Sequence, residues 1–417
     1  MSRQNRFKIE QNCRICGNNL LQKILFLGHQ PLANALIEKD RHADSYATYP
    51  LTLVRCQDCG LVQILETIPP DVLFTKYLYF SSYADTLVAN ARHLAKRVIE
   101  RYHVRHDNLV VELGSNDGYL FQFYKSAGVK VLGVEPAANV ATVALRERRI
   151  PTLVTFFSKE VARQISEEYG LARVIHANNV LAHVADLHDF VDGIQHLLAP
   201  SGLAIIEVAY VKDMMDACAF DLIYHEHLCY YSLTTLERLF RMHGLVVFDI
   251  EHIPAHGGSL RVWCAHPGIF GESASIGSFR CMERSAGLDE PEFYKDFAKK
   301  VNGIKQNICN TLKEFKRRGD RIAAYGAAAK ATVLLNYFNI GTELIDYIVD
   351  RNPEKQGKIV PGPNLFIFPV EKILKDNPDV IFITAWNYAE EIMGQLRNKL
   401  GYHGKYIIPL PSFRVID

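Results

Sequence analysis

At 417 residues the chain exceeds what one ordinary hydrophobic core organises, so two or three domains are expected. Its 47 basic and 46 acidic side chains nearly cancel, which excludes a global field that would gather nucleic acid or an anionic membrane. An apolar fraction of 48% with no run of membrane-span length, and a polar start without a signal-like apolar core, predict a soluble, cytoplasmic protein.

The first seventy residues carry two knuckles, Cys13-Arg-Ile-Cys16-Gly17 and Cys56-Gln-Asp-Cys59-Gly60, with 39 residues between Cys16 and Cys56. A glycine after each CxxC relieves a tight turn whose N–H groups face the thiolates. Cys13, Cys16, Cys56 and Cys59 therefore predict a tetrahedral zinc site. Disulfides and a redox pair are the competing readings, and a reducing compartment disfavours stable disulfides. Four thiolates fill the coordination sphere, so the zinc is expected to be structural. The other cysteines, at 218, 229, 264, 281 and 309, read as small buried side chains.

Ile68-Pro-Pro-Asp71 marks a boundary. A segment rich in tyrosine and serine follows, Phe74-Thr-Lys-Tyr77-Leu-Tyr79-Phe-Ser81-Ser82-Tyr83, and then a helix over 85–102. From 109 to 263 strands and helices alternate. Strands are predicted at 109–113, 129–134, 151–154, 173–177, 203–209, 246–251 and 259–264, and helices near 119–127, 137–147, 158–169, 186–198 and 233–243. The last two strands predict a mostly parallel sheet with one antiparallel strand at its edge.

Val110-Val-Glu112-Leu-Gly114-Ser-Asn116-Asp-Gly118 organises this region: a doubly buried strand, a glycine turn, then a helix. Ser115 and Asn116 stand where a dinucleotide fingerprint needs its second glycine. Glu112, just ahead of the turn, suits a cationic cofactor without phosphate. Glu135 ends the next strand, 21 residues after Gly114, where an acid accepts ribose hydroxyls. The bland alternative is a generic α/β turn with a surface acid. This pattern resembles the first motif of S-adenosylmethionine-dependent methyltransferases.

Polar clusters follow later strand ends. Asn178 and Asn179 are placed against the amino-acid part of such a donor, with His183 over the pocket. Glu207 and Tyr210 flank the next strand end. Beyond them lies Tyr224-His225-Glu226-His227. His-Glu-His in a loop is not the helical His-Glu-x-x-His zinc pattern, and it reads better as proton abstraction from a carbon beside a carbonyl. The tyrosines of 77–83 would close the pocket, Tyr79 being preferred to Tyr77.

His256-Gly257-Gly258-Ser259-Leu-Arg261 is a glycine turn with an arginine able to meet an anion. A charged helical stretch over 291–318 leads to a second α/β unit, with strands at 321–325, 345–349, 380–384 and 406–408 and a helix at 331–337. The turn at Gly326, with Lys330, Asp350 and Asn387 at successive strand ends, suits a nucleoside diphosphate better than NAD. A purely structural second sheet is the alternative.

Together these motifs resemble the bacterial nucleotide-sugar C-methyltransferase family over essentially the whole chain. The resemblance implies three units: a zinc-binding domain (1–68), a class I methyltransferase domain with a Rossmann-like sheet (69–265) and a second Rossmann-like domain holding the nucleotide (266–417). It implies S-adenosylmethionine and structural zinc as cofactors and a nucleotide-linked keto-deoxysugar as substrate. His227 would be the base, with Tyr224, Glu226, His183 and Tyr79 around the substrate. Methylation of oxygen or nitrogen of a small metabolite, and a non-catalytic zinc-ribbon binding protein, are the alternatives. The sequence sets no oligomeric state, and a monomer is compatible with it.

Overall fold

The computed structural model describes residues 7–40, 46–74, 79–254 and 257–417, so Tyr77 and His256 lie outside the described residues. In the middle of the chain a seven-stranded sheet forms. Its spatial order is Val246–Ile253, Ser259–Ala265, Leu198–Ala209, Ala172–Asn178, Leu109–Leu113, Lys130–Val134, Thr152–Leu153. Leu109–Leu113 is buried at every position, as its unbroken apolar run requires of a central parallel strand. Leu109–Leu113 and Ala172–Asn178 run parallel, and the order in which later strands are added reverses between them, which opens a crevice beyond their carboxyl ends. The helix Asp85–Arg101 lies against one face, burying Ala91, Leu94, Ala95 and Val98 in a cluster with Val110, Phe121 and Tyr124.

The antiparallel strand corrects an expectation. Ser259–Ala265 is not at the edge but one strand in, paired on both sides, and Val246–Ile253 takes the edge. The burial patterns explain the order: the inner strand is buried throughout, whereas the outer one mixes buried and part-exposed positions.

The C-terminal half holds an eight-stranded sheet among the described residues. Ile322–Tyr325 sits within it between Val380–Ile383 and Tyr347–Val349, all parallel. Lys358–Val360, Leu365–Phe368 and Arg414–Ile416 are strands that the sequence pattern missed, being three or four residues long. The helices Ala274–Ala286 and Ala389–Leu400 were missed as well. Cys218, Cys229 and Cys264 are buried as expected, but Cys309 is half-buried and Cys281 exposed, on the outer side of Ala274–Ala286.

Strands cross between the three units. Cys229–Tyr230, from the loop after Tyr224-His-Glu-His227, pairs with Val62–Ile64 of the N-terminal sheet. Ile37–Glu38, from the N-terminal part, pairs with Lys358–Val360 at the end of the C-terminal sheet. One apolar core runs from Cys13 to Leu410 through all three. No helix among the described residues is long and apolar enough to cross a membrane.

Candidate active site

The four knuckle thiols converge, with all sulfurs within 4.8 Å of one another. Sγ of Cys13 is 3.4 Å from that of Cys59, and Sγ of Cys16 is 3.5 Å from that of Cys56. A tetrahedron with Zn–S bonds of about 2.3 Å has edges of about 3.8 Å, so this all-thiolate set fits zinc with no position left for water. Gly17 and Gly60 adopt φ of 71° and 78°, and their N–H groups close the two turns on Cys13 and Cys56 carbonyls.

The glycine turn after Leu109–Leu113 is built as a cradle. Gly114 has φ of 65°, and a Cβ there would stand 2.5 Å from Val180 Cγ2; Gly118 has φ of 77°. Glu135 receives the backbone N–H groups of Asn116 and Ala137 on its two oxygens, each at 2.9 Å, and so clamps the turn, with further lone pairs for a sugar. Glu112 is fully buried, and burial pushes its carboxyl well above the ordinary range. Asn178 donates to one of its oxygens at 3.2 Å. The other oxygen of Glu112 and Oδ1 of Asn178 are buried without a partner. Asn179, itself at φ of 56°, binds Glu207 through its backbone N–H at 2.8 Å and its amide at 3.4 Å. Asn178, Glu207, Tyr119 and Leu94 line a crevice here. Buried acidic and amide oxygens lacking a cation fit a donor that carries an ammonium and a sulfonium.

Replacing Gly114 with alanine should cost about 1–3 kcal/mol of stability, because the new methyl must displace Val180 at a positive φ. Urea unfolding and a calorimetric titration with the donor check this. Unchanged stability and unchanged donor affinity would contradict the cradle.

Residues 79–83 dock on the same turn. Asn116 accepts the Ser81 N–H at 2.8 Å and donates to the Tyr79 carbonyl at 3.1 Å, and Asp117 accepts from the Ser82 hydroxyl. Tyr79 itself is 43% exposed. In the sequence Ser82 stood out only as part of the tyrosine- and serine-rich segment, with no role of its own.

His227 is held by its own loop. Its Nδ1 lies 3.0 Å from the Leu222 carbonyl and its Nε2 lies 2.8 Å from the Tyr224 hydroxyl. The Tyr224 and His227 ring centres are 4.0 Å apart, and His183 stands 4.9 Å from His227. His183 donates from Nδ1 to the Glu226 carbonyl at 2.6 Å, and burial lowers its pKa to about 4, so it is neutral near pH 7. Glu226 meets the N-terminal part, with both oxygens 2.8 Å from Asn34 Nδ2. Burial raises its carboxyl to about 7 against the pull of Asn34 and Lys355. His225 faces the N-terminal sheet, donating to the Pro50 carbonyl at 2.9 Å; it supports the loop and does not face the crevice.

The C-terminal strand ends face this loop. Gly326 adopts φ of 102°, where a Cβ would meet that of Ala385 at 2.7 Å. Asp350 accepts the Ala327 N–H at 2.7 Å, and Lys330 binds Asn387 and lies 4.7 Å above the Trp386 ring. Trp386 in turn donates to Asp221 at 2.7 Å, one residue before the carbonyl that grips His227. Asp221 is buried, its pKa raised to about 6 by desolvation; nothing in its spacing announced it. Arg261 is not among this group. It lies in the central sheet, 7% exposed, with its guanidinium 2.7 Å from Glu207 and 3.3 Å from Glu251. Its charge is matched there, and it lines the donor side of the crevice.

Fold, crevice and thiolate clip together define an S-adenosylmethionine-dependent methyltransferase with a structural zinc module. Three family profiles match in series: a zinc binding domain over 13–74, a methyltransferase domain over 87–250 and a C-methyltransferase C-terminal domain over 254–411. The chain is 35% identical over 406 residues to C-methyltransferase NovU of Streptomyces niveus, covering 97% of this chain and 96% of that protein. It belongs to the C-methyltransferase family. Among solved structures, magnesium protoporphyrin IX methyltransferase (ChlM) of Synechocystis PCC 6803 with bound SAM matches 43% of this chain and 79% of its own, at 10% identity and a TM-score of 0.34. Geranyl diphosphate methyltransferase in complex with SAM matches 43% and 85%, at 15% identity and a TM-score of 0.35.

Proposed function

We propose that the enzyme methylates a carbon beside the ketone of a nucleotide-linked keto-deoxysugar, in the cytoplasm, as a step toward a branched-chain sugar. The observation that carries this reading is the contact of His227 Nδ1 with the Leu222 carbonyl. A carbonyl oxygen only accepts, so the contact with Leu222 requires a proton on Nδ1 and leaves the lone pair of the neutral ring on Nε2. That nitrogen is the base. It takes the proton from the carbon next to the ketone, and the electron pair moves onto the ketone oxygen. In this tautomer the Tyr224 hydroxyl donates to Nε2; it must turn aside for Nε2 to take the carbon proton, and is then free to hydrogen-bond the enolate oxygen. His183 backs the His227 ring, and Glu226 and Tyr79 are assigned to the same substrate site. Glu112, Glu135, Asn178 and Asn179 hold S-adenosylmethionine, which supplies an electrophilic methyl group to the carbanion. Gly326, Lys330, Asp350 and Asn387 grip the nucleoside diphosphate, the first at the N-terminal side of the helix Ala329–Phe338.

Incubation with methyl-labelled donor and a panel of nucleotide-linked 4-keto-hexoses tests the substrate class. NMR of the product should place the methyl on a carbon adjacent to the ketone. Label on oxygen or nitrogen, or turnover of sugars lacking the ketone only, would overturn the reading.

A further inference from the structure

We propose that Asn34, contributed by the zinc module, is a positioning residue that sets the pH at which the Glu226 carboxyl ionises. The inference rests on the reading of Glu226 as part of the substrate site. Leu32-Ala-Asn34-Ala35 forms a turn, closed by Ala35 N–H on the Leu32 carbonyl at 3.1 Å. Three contacts leave this turn and the strand Ile37–Glu38 just after it. The Ala33 carbonyl accepts the Thr332 hydroxyl of the C-terminal half at 2.9 Å, Ile37 pairs with Ile359, and Asn34 reaches both oxygens of Glu226. The turn is therefore fixed to both neighbours before its amide meets the carboxyl.

An amide N–H donated to a carboxylate favours the ionised form, and a buried carboxyl without such a donor stays protonated to higher pH. The remaining charges around Glu226 leave that task to Asn34. Lys355 acts from the C-terminal half but also donates to the Ala327 carbonyl at 2.9 Å and lies 3.9 Å from Asp350. His183 meets Glu226 at its backbone carbonyl, His225 contacts the Pro50 carbonyl, and His227 contacts the Leu222 carbonyl and the Tyr224 hydroxyl. The zinc module thus contributes a group to the chemistry in addition to its fold.

The test compares pH profiles of kcat, and infrared titration of a labelled glutamate carboxyl, for wild type, Asn34→Ala, Asn34→Asp, Glu226→Gln and the Asn34→Ala/Glu226→Gln double variant. Glu226→Gln should remove one limb of the profile. Asn34→Ala should move that limb up by about one pH unit, Asn34→Asp by more, and the infrared midpoint should move with it. In the Glu226→Gln background, Asn34→Ala should shift nothing. A rate lowered by one factor at every pH, with an unmoved infrared midpoint, would overturn the proposal and leave Asn34 a packing residue. If Glu226→Gln leaves the profile whole, the placement of Glu226 at the substrate fails instead, and the infrared midpoint alone decides the role of Asn34.

Discussion

Replacing His227 with asparagine is expected to lower kcat by about 10²–10⁴-fold while leaving donor affinity and fold in place. The asparagine amide can still donate toward the Leu222 carbonyl, so the loop keeps that anchor, but it offers no basic nitrogen where Nε2 stands. The donor-holding residues lie on other strand ends and are untouched by the change. His183 does not substitute for the lost base. With its pKa lowered to about 4 it is a weak proton acceptor at neutral pH, and its Nδ1–H is committed to the Glu226 carbonyl. Steady-state kinetics, a calorimetric titration with the donor and a thermal melt check the three parts of this expectation. Turnover within threefold of wild type would end the role given to His227.

The second large effect is expected from the zinc. Its four thiols come from two turns at one end of the N-terminal sheet, one leading into Leu21–Pro31 and the other ending Thr48–Cys56, where Leu21 pairs with Cys56. Removing the metal with a chelator, or changing Cys56 to serine, should lower the melting transition of this module by about 10 °C or more. Activity should fall with it. Val62–Ile64 pairs with the strand directly after His227, and the Asn34 turn holds Glu226, so loosening the module loosens the base. The check is metal content, differential scanning calorimetry and activity on one preparation. A zinc-free protein with full activity would separate the module from the site.

Local pattern carried most of the site. The paired CxxC knuckles, the buried strand leading through Glu112 to Gly114, and Tyr224-His-Glu-His227 each concentrate their chemistry within a few residues; the structure gathers the four thiols and sets Tyr224 on His227, while His225 faces the N-terminal sheet. What the sequence hid is nonlocal. Asn34 and Glu226 are 192 positions apart, and Asp221 and Trp386 are 165 apart, with no spacing rule to join them. Ile37–Glu38 is too short to announce itself as a strand, and its sheet lies three hundred residues onward. Arg261 shows the opposite failure. Beside a glycine turn it read as an anion binder, yet strand register sets it opposite Glu207 and Glu251, which claim its charge.

His227 is expected to take a proton from a carbon acid before any methyl arrives. Incubating enzyme and the accepted keto-sugar nucleotide in deuterated water without methyl donor, and following the ring protons by NMR, measures that step alone. Wild type should wash deuterium into one position beside the ketone, and His227→Asn should not. Absence of exchange in wild type under conditions where added donor gives product, or equal exchange in both proteins, would contradict the account.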